Sequence, residues 1–295
     1  VSGIVFRIFK FLIRPLVGTG LGCIKPLLAL YKSLSQLTIP EQGCIVSVND
    51  CLIKVRIDEG RHIDGVTQQF IFKHEYEVET TKAFKEVVKE GMRVLDIGAN
   101  IGYFTLLASK LVGDRGKVWA FEPESVNLVH LKENIELNDL KNVEVSSCAV
   151  SEFAGEADLY VSREEPGAHS LIDCRSPNYD IVRVHTVKLD DLFNDTCIDF
   201  IKSDTEGNDM KVLLGAKRLI TENPDIKLIV ELYPPGLIAS QYSPEQFWAL
   251  LEEYGFKSLT IMDELEKTTK EGNLEMAMEA INRHEFSVNL LCTKS

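Results

Sequence analysis

Val94-Leu95-Asp96-Ile97-Gly98-Ala99-Asn100-Ile101-Gly102-Tyr103-Phe104 sets an apolar strand, a carboxylate, a glycine turn and a helix start in immediate succession. In an open α/β sheet, ligands bind at the carboxyl ends of the strands, so this turn is expected to face a binding crevice. Gly98 and Gly102 remove side chains where a ligand would approach backbone, and they allow a turn that other residues resist. Ala99, Asn100 and Tyr103 complete the expected cofactor turn. Glu122, 20 residues beyond Gly102, closes the next strand in Val118-Trp119-Ala120-Phe121-Glu122-Pro123. An acid there can accept both hydrogen bonds of an unphosphorylated ribose diol. Ala149, just after the third strand, stands where a small residue would border an adenine.

A nicotinamide dinucleotide is the rival ligand, and its fingerprint needs a second glycine for close contact with a pyrophosphate. Asn100 and Tyr103 occupy the places of the second and third glycines. Asp96 directs negative charge at the turn, which suits an ammonium better than a diphosphate. S-adenosylmethionine supplies that ammonium and a ribose diol, and it carries no phosphate. It is therefore the expected cofactor.

Outward from this motif, strands and helices alternate, as in a parallel sheet covered on both faces. Strands are expected at Arg93–Ile97, Lys117–Phe121, Val143–Cys148, Ile198–Ser203 and Lys227–Leu232. Helices are expected at Glu77–Lys89, Gly102–Leu111, Val126–Leu137, Asp209–Thr221 and Pro244–Tyr254. The apolar runs Phe256–Met262 and Phe286–Cys292, separated by a Glu- and Lys-rich insertion, are expected to close the sheet edge as an antiparallel pair. Alternation in Ala157–Val161 and Ile181–Val187 marks an inserted hairpin near the active site. Upstream, Ile45–Val48 and Leu52–Ile57, joined by Asn49-Asp50, read as a hairpin in a β-rich lead-in. The organisation expected is a basic apolar segment at 1–40, a lead-in at 41–75 and a catalytic domain at 76–295.

With 295 residues, 45% hydrophobic and 26% charged, the chain can bury a sizeable core, which excludes intrinsic disorder and a small disulfide scaffold. The net charge is −13, yet residues 1–40 hold Arg7, Lys10, Arg14, Lys25 and Lys32 and no acid. An acidic body argues against a nucleic-acid partner. In residues 4–16 Ile4, Val5, Ile8, Phe9, Leu12, Ile13 and Leu16 recur at helical spacing opposite Arg7, Lys10 and Arg14. Such a cationic amphipathic helix either lies on a membrane surface or packs on protein. The uncharged stretch Pro15–Ile24 is too short to span a bilayer, and Arg14 and Pro15 interrupt a secretory signal core. The seven cysteines are scattered, odd in number and never spaced C-x-x-C, as expected of reduced thiols. A cytoplasmic protein is the expectation, with peripheral attachment at the inner membrane face and packing of residues 4–16 on protein both left open; no pattern fixes an oligomeric state.

The chain resembles the FkbM-type family of S-adenosylmethionine-dependent methyltransferases over about residues 70–265. The residues that carry the resemblance are Asp96 through Gly102, Phe121-Glu122-Pro123, Asn134 through Asn138, Val187-Lys188-Leu189-Asp190-Asp191-Leu192, Ile198-Asp199-Phe200-Ile201-Lys202-Ser203-Asp204-Thr205-Glu206-Gly207, and Val212-Leu213-Leu214-Gly215-Ala216. The resemblance implies a Rossmann-like class I methyltransferase fold, α/β, with a mostly parallel seven-stranded sheet, the last strand antiparallel, and helices on both faces. It also implies O-methylation of a hydroxyl on a sugar, lipid or polyketide-like acceptor. Ser203 and Thr205 depart from the aliphatic residues usual in the family. Residues 1–40 and the insertion around Thr268–Ala280 lie outside it.

Methyl transfer from a sulfonium to an alcohol is an in-line displacement that must align two reactants, exclude water and remove a proton. Asp204 and Glu206 follow the fourth strand, where one can position donor or acceptor and the other can take the proton. Glu206 has an alternative role as a cap for the helix near Gly207. His169, in Gly167-Ala168-His169-Ser170-Leu171, is the imidazole candidate for general base, with an exposed loop histidine as its alternative. His74 and Glu75 precede the core domain, and Glu75 is expected to line the cofactor pocket. Glu231 closes the fifth strand, where it contacts a polyol acceptor or ends the strand. Asp204, Glu206 and Asn208 lie too close in sequence to argue for a metal, and none is expected. A small-molecule, glycan or lipid-linked acceptor is the expected partner. A non-catalytic membrane-associated binding module and a nicotinamide oxidoreductase are the competing readings.

Overall fold

The computed structural model describes residues 44–55, 69–162, 169–173, 179–284 and 286–294. The amphipathic segment expected at 4–16 lies outside them. The chain divides into two compact units, the first ending at Tyr76 and the second starting at Glu77.

In the first unit, β1 (Cys44–Val48) and β2 (Cys51–Val55) pair antiparallel, with Val48 opposite Cys51. Asn49 (φ 50°) and Asp50 (φ 64°) form the two-residue turn, and two successive positive φ values match the twist of the strands they join. One face buries Val46, Val48, Cys51, Ile53 and Val55, while Ile45 and Leu52 point outward. A short helical turn at Gln69–Lys73 follows, and His74 Nδ1 donates to the Ser47 carbonyl at 3.2 Å.

The second unit is built on an eight-stranded sheet. Its strands are β3 (Arg93–Ile97), β4 (Lys117–Phe121), β5 (Val143–Ser146), β9 (Phe200–Ser203), β10 (Lys227–Leu232), β11 (Ser258–Asp263), β12 (Thr268–Glu271) and β13 (Val288–Thr293). The three intervening strands, β6 (Ala149–Val150), β7 (Gly155–Ser162) and β8 (Tyr179–Val187), form a separate small sheet. The helices are α1 (Val78–Val87), α2 (Tyr103–Val112), α3 (Ser125–Leu137), α4 (Leu189–Leu192), α5 (Asp209–Gly215), α6 (Lys217–Thr221), α7 (Pro234–Ala239), α8 (Pro244–Glu253) and α9 (Leu274–His284).

Across the large sheet the order is β12-β11-β13-β10-β9-β3-β4-β5, and β10, β9, β3, β4 and β5 run parallel. This is the Rossmann-like class I methyltransferase architecture. The central strands are apolar runs because both faces are covered: Val94, Leu95, Phe200, Ile201, Leu228, Ile229 and Val230 are fully buried. The expected antiparallel pair is present as β11 and β13. β13 does not lie at the edge; it runs antiparallel between β10 and β11. The edge is β12, drawn from the polar insertion, and all four of its residues are exposed. A strand with no buried face carries no alternation to read, and its Lys270 and Glu271 are the charges that suit an open edge.

The helix expected over Asp209–Thr221 is two helices. Gly215 sits where a Cβ would strike the Ser151 backbone carbonyl, so the chain is pinned there. Asp190, in α4, then starts α6 from outside by accepting hydrogen bonds from Arg218 N (3.0 Å) and Leu219 N (2.9 Å). The inserted hairpin is present as β7 and β8, paired antiparallel, with β6 alongside β8. Among the described residues, no helix is long and apolar enough to cross a membrane. The five described cysteines, Cys44, Cys51, Cys148, Cys197 and Cys292, are unbridged.

Helix α1 begins without a side-chain cap from its own Glu77. Its orphan N–H groups at Glu79 (3.1 Å) and Thr80 (2.8 Å) donate instead to the Glu264 carboxylate from the β11–β12 turn. Glu264→Ala should therefore cost about 1–2 kcal/mol, the range of a lost N-cap, read as a lowered urea midpoint. Lys267→Ala, in the same turn, should leave that midpoint unchanged.

Candidate active site

The parallel register sets the site. Ile97, Ser203 and Val230 lie level across β3, β9 and β10, which makes Asp96 and Lys202 direct neighbours one step inward. One step outward, Gly98 and Asp204 leave the ends of β3 and β9, while Glu231 is still within β10, opposite Asn289 of β13. Asp204 N donates to Ile97 O (3.0 Å), continuing the ladder beyond the strands. Gly98 N and Ala99 N both donate to Phe121 O (3.0 Å each), and Asn100 N donates to Glu122 Oε2 (2.8 Å). The turn is thereby tied to β3's neighbours on both sides.

Packing alone already requires both glycines. Gly98 has φ 77°, and a Cβ there would strike the Asp204 carbonyl; Gly102 has φ 99°, and a Cβ there would lie 2.6 Å from Leu131 Cδ1. Ala99 is likewise a core residue, packed with Ala120 and Leu131. Tyr103 is buried, and its hydroxyl meets Thr81 Oγ1 at 3.1 Å, which ties α2 to α1. Ala149 packs with Leu159, Val161 and Val184 in the core of the small sheet. Glu75 belongs to the first unit, whereas the strand ends described above all belong to the second.

What remains at the lip is a dense set of charges. Asp96 is 2% exposed; its Oδ2 accepts from Thr105 Oγ1 at 2.5 Å, and its Oδ1 is buried with no hydrogen-bond partner. Burial pushes the Asp96 carboxyl above its ordinary pKa, and Lys202 and Thr105 pull it back. Lys202, which the sequence reading assigned no role, is also 2% exposed. Its ammonium donates to Asp204 Oδ2 at 3.0 Å and lies 4.5 Å from the Phe104 ring centroid. Burial would lower the Lys202 pKa, but Asp204, Glu77 and Asp96 outweigh it and hold the group above its usual value. On the other face of β9, Asp209 accepts from Ser203 Oγ at 2.5 Å, and burial lifts its pKa to about 6. Glu231 is lifted well above the carboxylate range by burial and then by Asp204, Glu206 and Asp209; its Oε2 has no partner.

Glu122 is fixed by two backbone donors, Asn100 N on Oε2 and Glu124 N at 2.9 Å on Oε1. One lone pair on each oxygen stays open to a diol. Burial, against those two bonds, lifts its pKa from 4.5 to about 7. Because the folded value is the higher one, the protonated carboxyl favours folding. That stability is fully present below pH 4.5 and is lost as pH rises through about 7. The loss is on the order of 3 kcal/mol, and Asp209 acts in the same direction. Glu122→Gln should flatten the fall in unfolding free energy between pH 5 and 8 by up to about that amount, as measured by urea titration at each pH.

From the inserted stretch, Ser170 contacts this lip. Ser170 and Tyr160 exchange backbone hydrogen bonds (2.8 and 3.2 Å), and Ser170 Oγ donates to the Glu206 carbonyl at 2.7 Å. His169 Nδ1 accepts from Ser162 N (3.1 Å), which places the ring proton on Nε2, 4.0 Å from Glu124 Oε2. Nδ1 of the imidazole is thus engaged by the backbone at the end of β7. Glu206 has φ 52° and precedes α5, whose first residue is Asp209, so it stands before the cap position. Asn208 Nδ2 donates to Val150 O (2.9 Å), joining the turn after β9 to the small sheet. Among the described residues, no three His, Cys, Asp or Glu side chains converge as metal ligands.

The methyltransferase FkbM domain model matches residues 96–258, which run from Asp96 through every charged residue of the lip. The chain belongs to the FkbM methyltransferase family. Over 89 residues it is 35% identical to the ribosomal protein L11 methyltransferase of Thermoanaerobacter pseudethanolicus, which is 28% of each protein. Over 54 residues it is 39% identical to a probable cobalt-precorrin-6B C(15)-methyltransferase of Sulfurisphaera tokodaii, 18% of this chain and 28% of that one. The chain thus spans about a third or less of the curated relatives it matches. A SAM-dependent methyltransferase from Aquifex aeolicus superposes with a TM-score of 0.41 at 19% identity, covering 73% of this chain and 88% of that one. The precorrin-6y C5,15-methyltransferase of Geobacter metallireducens gives 0.42 at 14% identity, covering 74% and 88%.

As a member of this S-adenosylmethionine-dependent family, the FkbM-domain chain takes that sulfonium as its cofactor. The residues present fit it. The unpartnered Asp96 Oδ1 suits the ammonium, and Glu122 suits the ribose diol.

Proposed function

We propose that this FkbM-family chain transfers a methyl group from S-adenosylmethionine to a hydroxyl of a sugar, glycan or lipid-linked acceptor. The observation that carries the reading is the carboxylate lip formed by Asp204, Glu206 and Glu231 beside the Asp96 turn. Carboxylates there can accept hydrogen bonds from a polyol and remove the proton of the hydroxyl that reacts. The bound sulfonium supplies an electrophilic methyl group and a neutral leaving thioether. Asp96 holds the ammonium end and Glu122 holds the diol. The proton of the acceptor hydroxyl passes to Glu231, with Glu206 beside it.

The acidic composition supports a hydroxyl acceptor over RNA, because a polyanion would be repelled. The basic amphipathic pattern of residues 4–16 supports an acceptor presented at a membrane surface. Equal pelleting on anionic vesicles by the chain with and without residues 1–40 would overturn that last part.

Calorimetric titration tests the reading directly, with NAD as the control ligand. S-adenosylmethionine should bind saturably and NAD should not. A diol donating to Glu122 favours its ionised form, so binding near neutral pH should release a proton. Titration in two buffers of different ionisation enthalpy reads that release, and Glu122→Gln should abolish it. Binding of NAD alone would sink the cofactor site. Radiolabelled methyl transfer to glycan and lipid fractions would then support the acceptor class, whereas label confined to protein or RNA would overturn it.

A further inference from the structure

The acids of the lip surround one buried cation, and the family reading gives that cation no task. Lys202 lies beside Asp96 across the β3–β9 register, its ammonium 3.0 Å from Asp204 Oδ2 and 4.5 Å from the Phe104 ring centroid. A buried ammonium is costly unless charges and hydrogen bonds compensate it, so its place directly after the apolar Phe200-Ile201 calls for a reason. The same holds for Asp96, whose Oδ1 is buried without a partner.

We propose that Lys202 is the positioning residue of the cofactor site: held by Asp204 beside Asp96 in the β3–β9 register, it opposes the effect of burial and favours the charged Asp96 carboxylate that a cationic ligand group would meet. The proposal rests on the cofactor reading above and assigns the means by which that site holds its charge. A carboxyl in this place, 2% exposed, would otherwise take up a proton, and a neutral acid attracts no ammonium. The charged and titratable groups that bear on Asp96 are Lys202 and Asp204 from β9 and the turn after it, and Glu122 from the end of β4. Glu77, ahead of α1, bears on Lys202. From α2, Thr105 donates to Asp96 and Phe104 presents its ring to Lys202. Among these groups Lys202 is the cation, so its removal leaves the acids to repel one another.

The test uses two probes, S-adenosylhomocysteine and 5′-methylthioadenosine, which share the nucleoside and differ in the ammonium-bearing amino-acid end. In Lys202→Met, affinity for S-adenosylhomocysteine should fall about tenfold or more at neutral pH and recover as pH rises, as Asp96 ionises without help. Affinity for 5′-methylthioadenosine should stay within about twofold, and Lys202→Arg should keep the wild-type pH profile. Equal loss of both probes at every pH would overturn the proposal and leave Lys202 a packing residue. If wild type binds neither probe, the cofactor reading itself fails. A ligand-free measurement keeps the two failures apart and also serves if Lys202→Met folds poorly. Asp96→Asn in that background should raise the melting temperature, because it removes the uncompensated acid. A melting temperature that Asp96→Asn lowers in the Lys202→Met background as much as in wild type would show the two residues uncoupled, and would overturn the proposal.

Discussion

Gly98→Ala should cost about 3–5 kcal/mol of folding stability, enough to unfold much of the protein under conditions in which wild type is intact. Two effects combine. The φ of 77° costs an L-residue about 1–2 kcal/mol wherever it occurs. The larger effect is steric: the added Cβ would overlap the Asp204 carbonyl oxygen and lie 2.9 Å from its carbon. Backbone cannot rotate away as a side-chain tip can, so the ends of β3 and β9 must part. That strains the Asp204 N to Ile97 O bond and displaces the Lys202–Asp204 pair. Gly91→Ala is the internal control, with φ 82° and open space around its Cβ position. It should lose only the backbone cost of about 1–2 kcal/mol. Urea unfolding followed by circular dichroism compares the two; equal losses at Gly91 and Gly98 would refute the packing explanation of the motif glycine.

That explanation marks a boundary on what the sequence discloses. A glycine after a strand announces a turn, and Gly98 and Gly102 do form one, but the identity of the atom that fills the missing side chain is a long-range fact. Here it is the carbonyl at the end of a neighbouring strand and a helix's leucine. Strands buried on both faces were legible because burial leaves continuous apolar runs, as in Val94–Leu95 and Leu228–Val230. β12, exposed throughout, left no such trace and was found only by its pairing with β11. The position of β13 between β10 and β11 was equally hidden, since pairing order is not encoded in a strand's own composition.

The site follows the same rule. Asp96, Glu122, Asp204 and Glu206 were legible because acids at strand ends stand out against apolar runs. Lys202 was overlooked although it directly follows the apolar Phe200-Ile201 near the end of its strand, a signal of the same kind with the opposite sign. His169 carried the right chemistry in a suitable place, yet its role depends on Ser162 N occupying Nδ1, a contact between two loop-proximal residues that no spacing rule anticipates. The Ser170 bond to the Glu206 carbonyl spans 36 residues and is hidden for the same reason.

Glu231→Gln should lower the rate of methyl transfer by about 100-fold or more while leaving S-adenosylhomocysteine affinity within about threefold, since general-base assistance contributes roughly that much or more. Among the acids at the lip, a base for an alcohol must be weakly acidic enough to hold a proton near neutral pH. Asp204 Oδ2 already accepts from the Lys202 ammonium at 3.0 Å, so that oxygen is engaged within the protein. Glu231 has the opposite surroundings: burial, then Asp204, Glu206 and Asp209, raise its pKa, with a hydrogen bond from Ser287 opposing them. Its unpartnered Oε2 is the atom free to accept. The wild-type rate should therefore rise with pH as Glu231 ionises, and Glu231→Gln should remove that limb. Glu206→Gln should instead move the limb to lower pH, because it deletes a like charge beside Glu231 and eases its ionisation. A Glu231→Gln enzyme that keeps the limb, together with a Glu206→Gln enzyme that loses it, would transfer the proton-accepting role to Glu206.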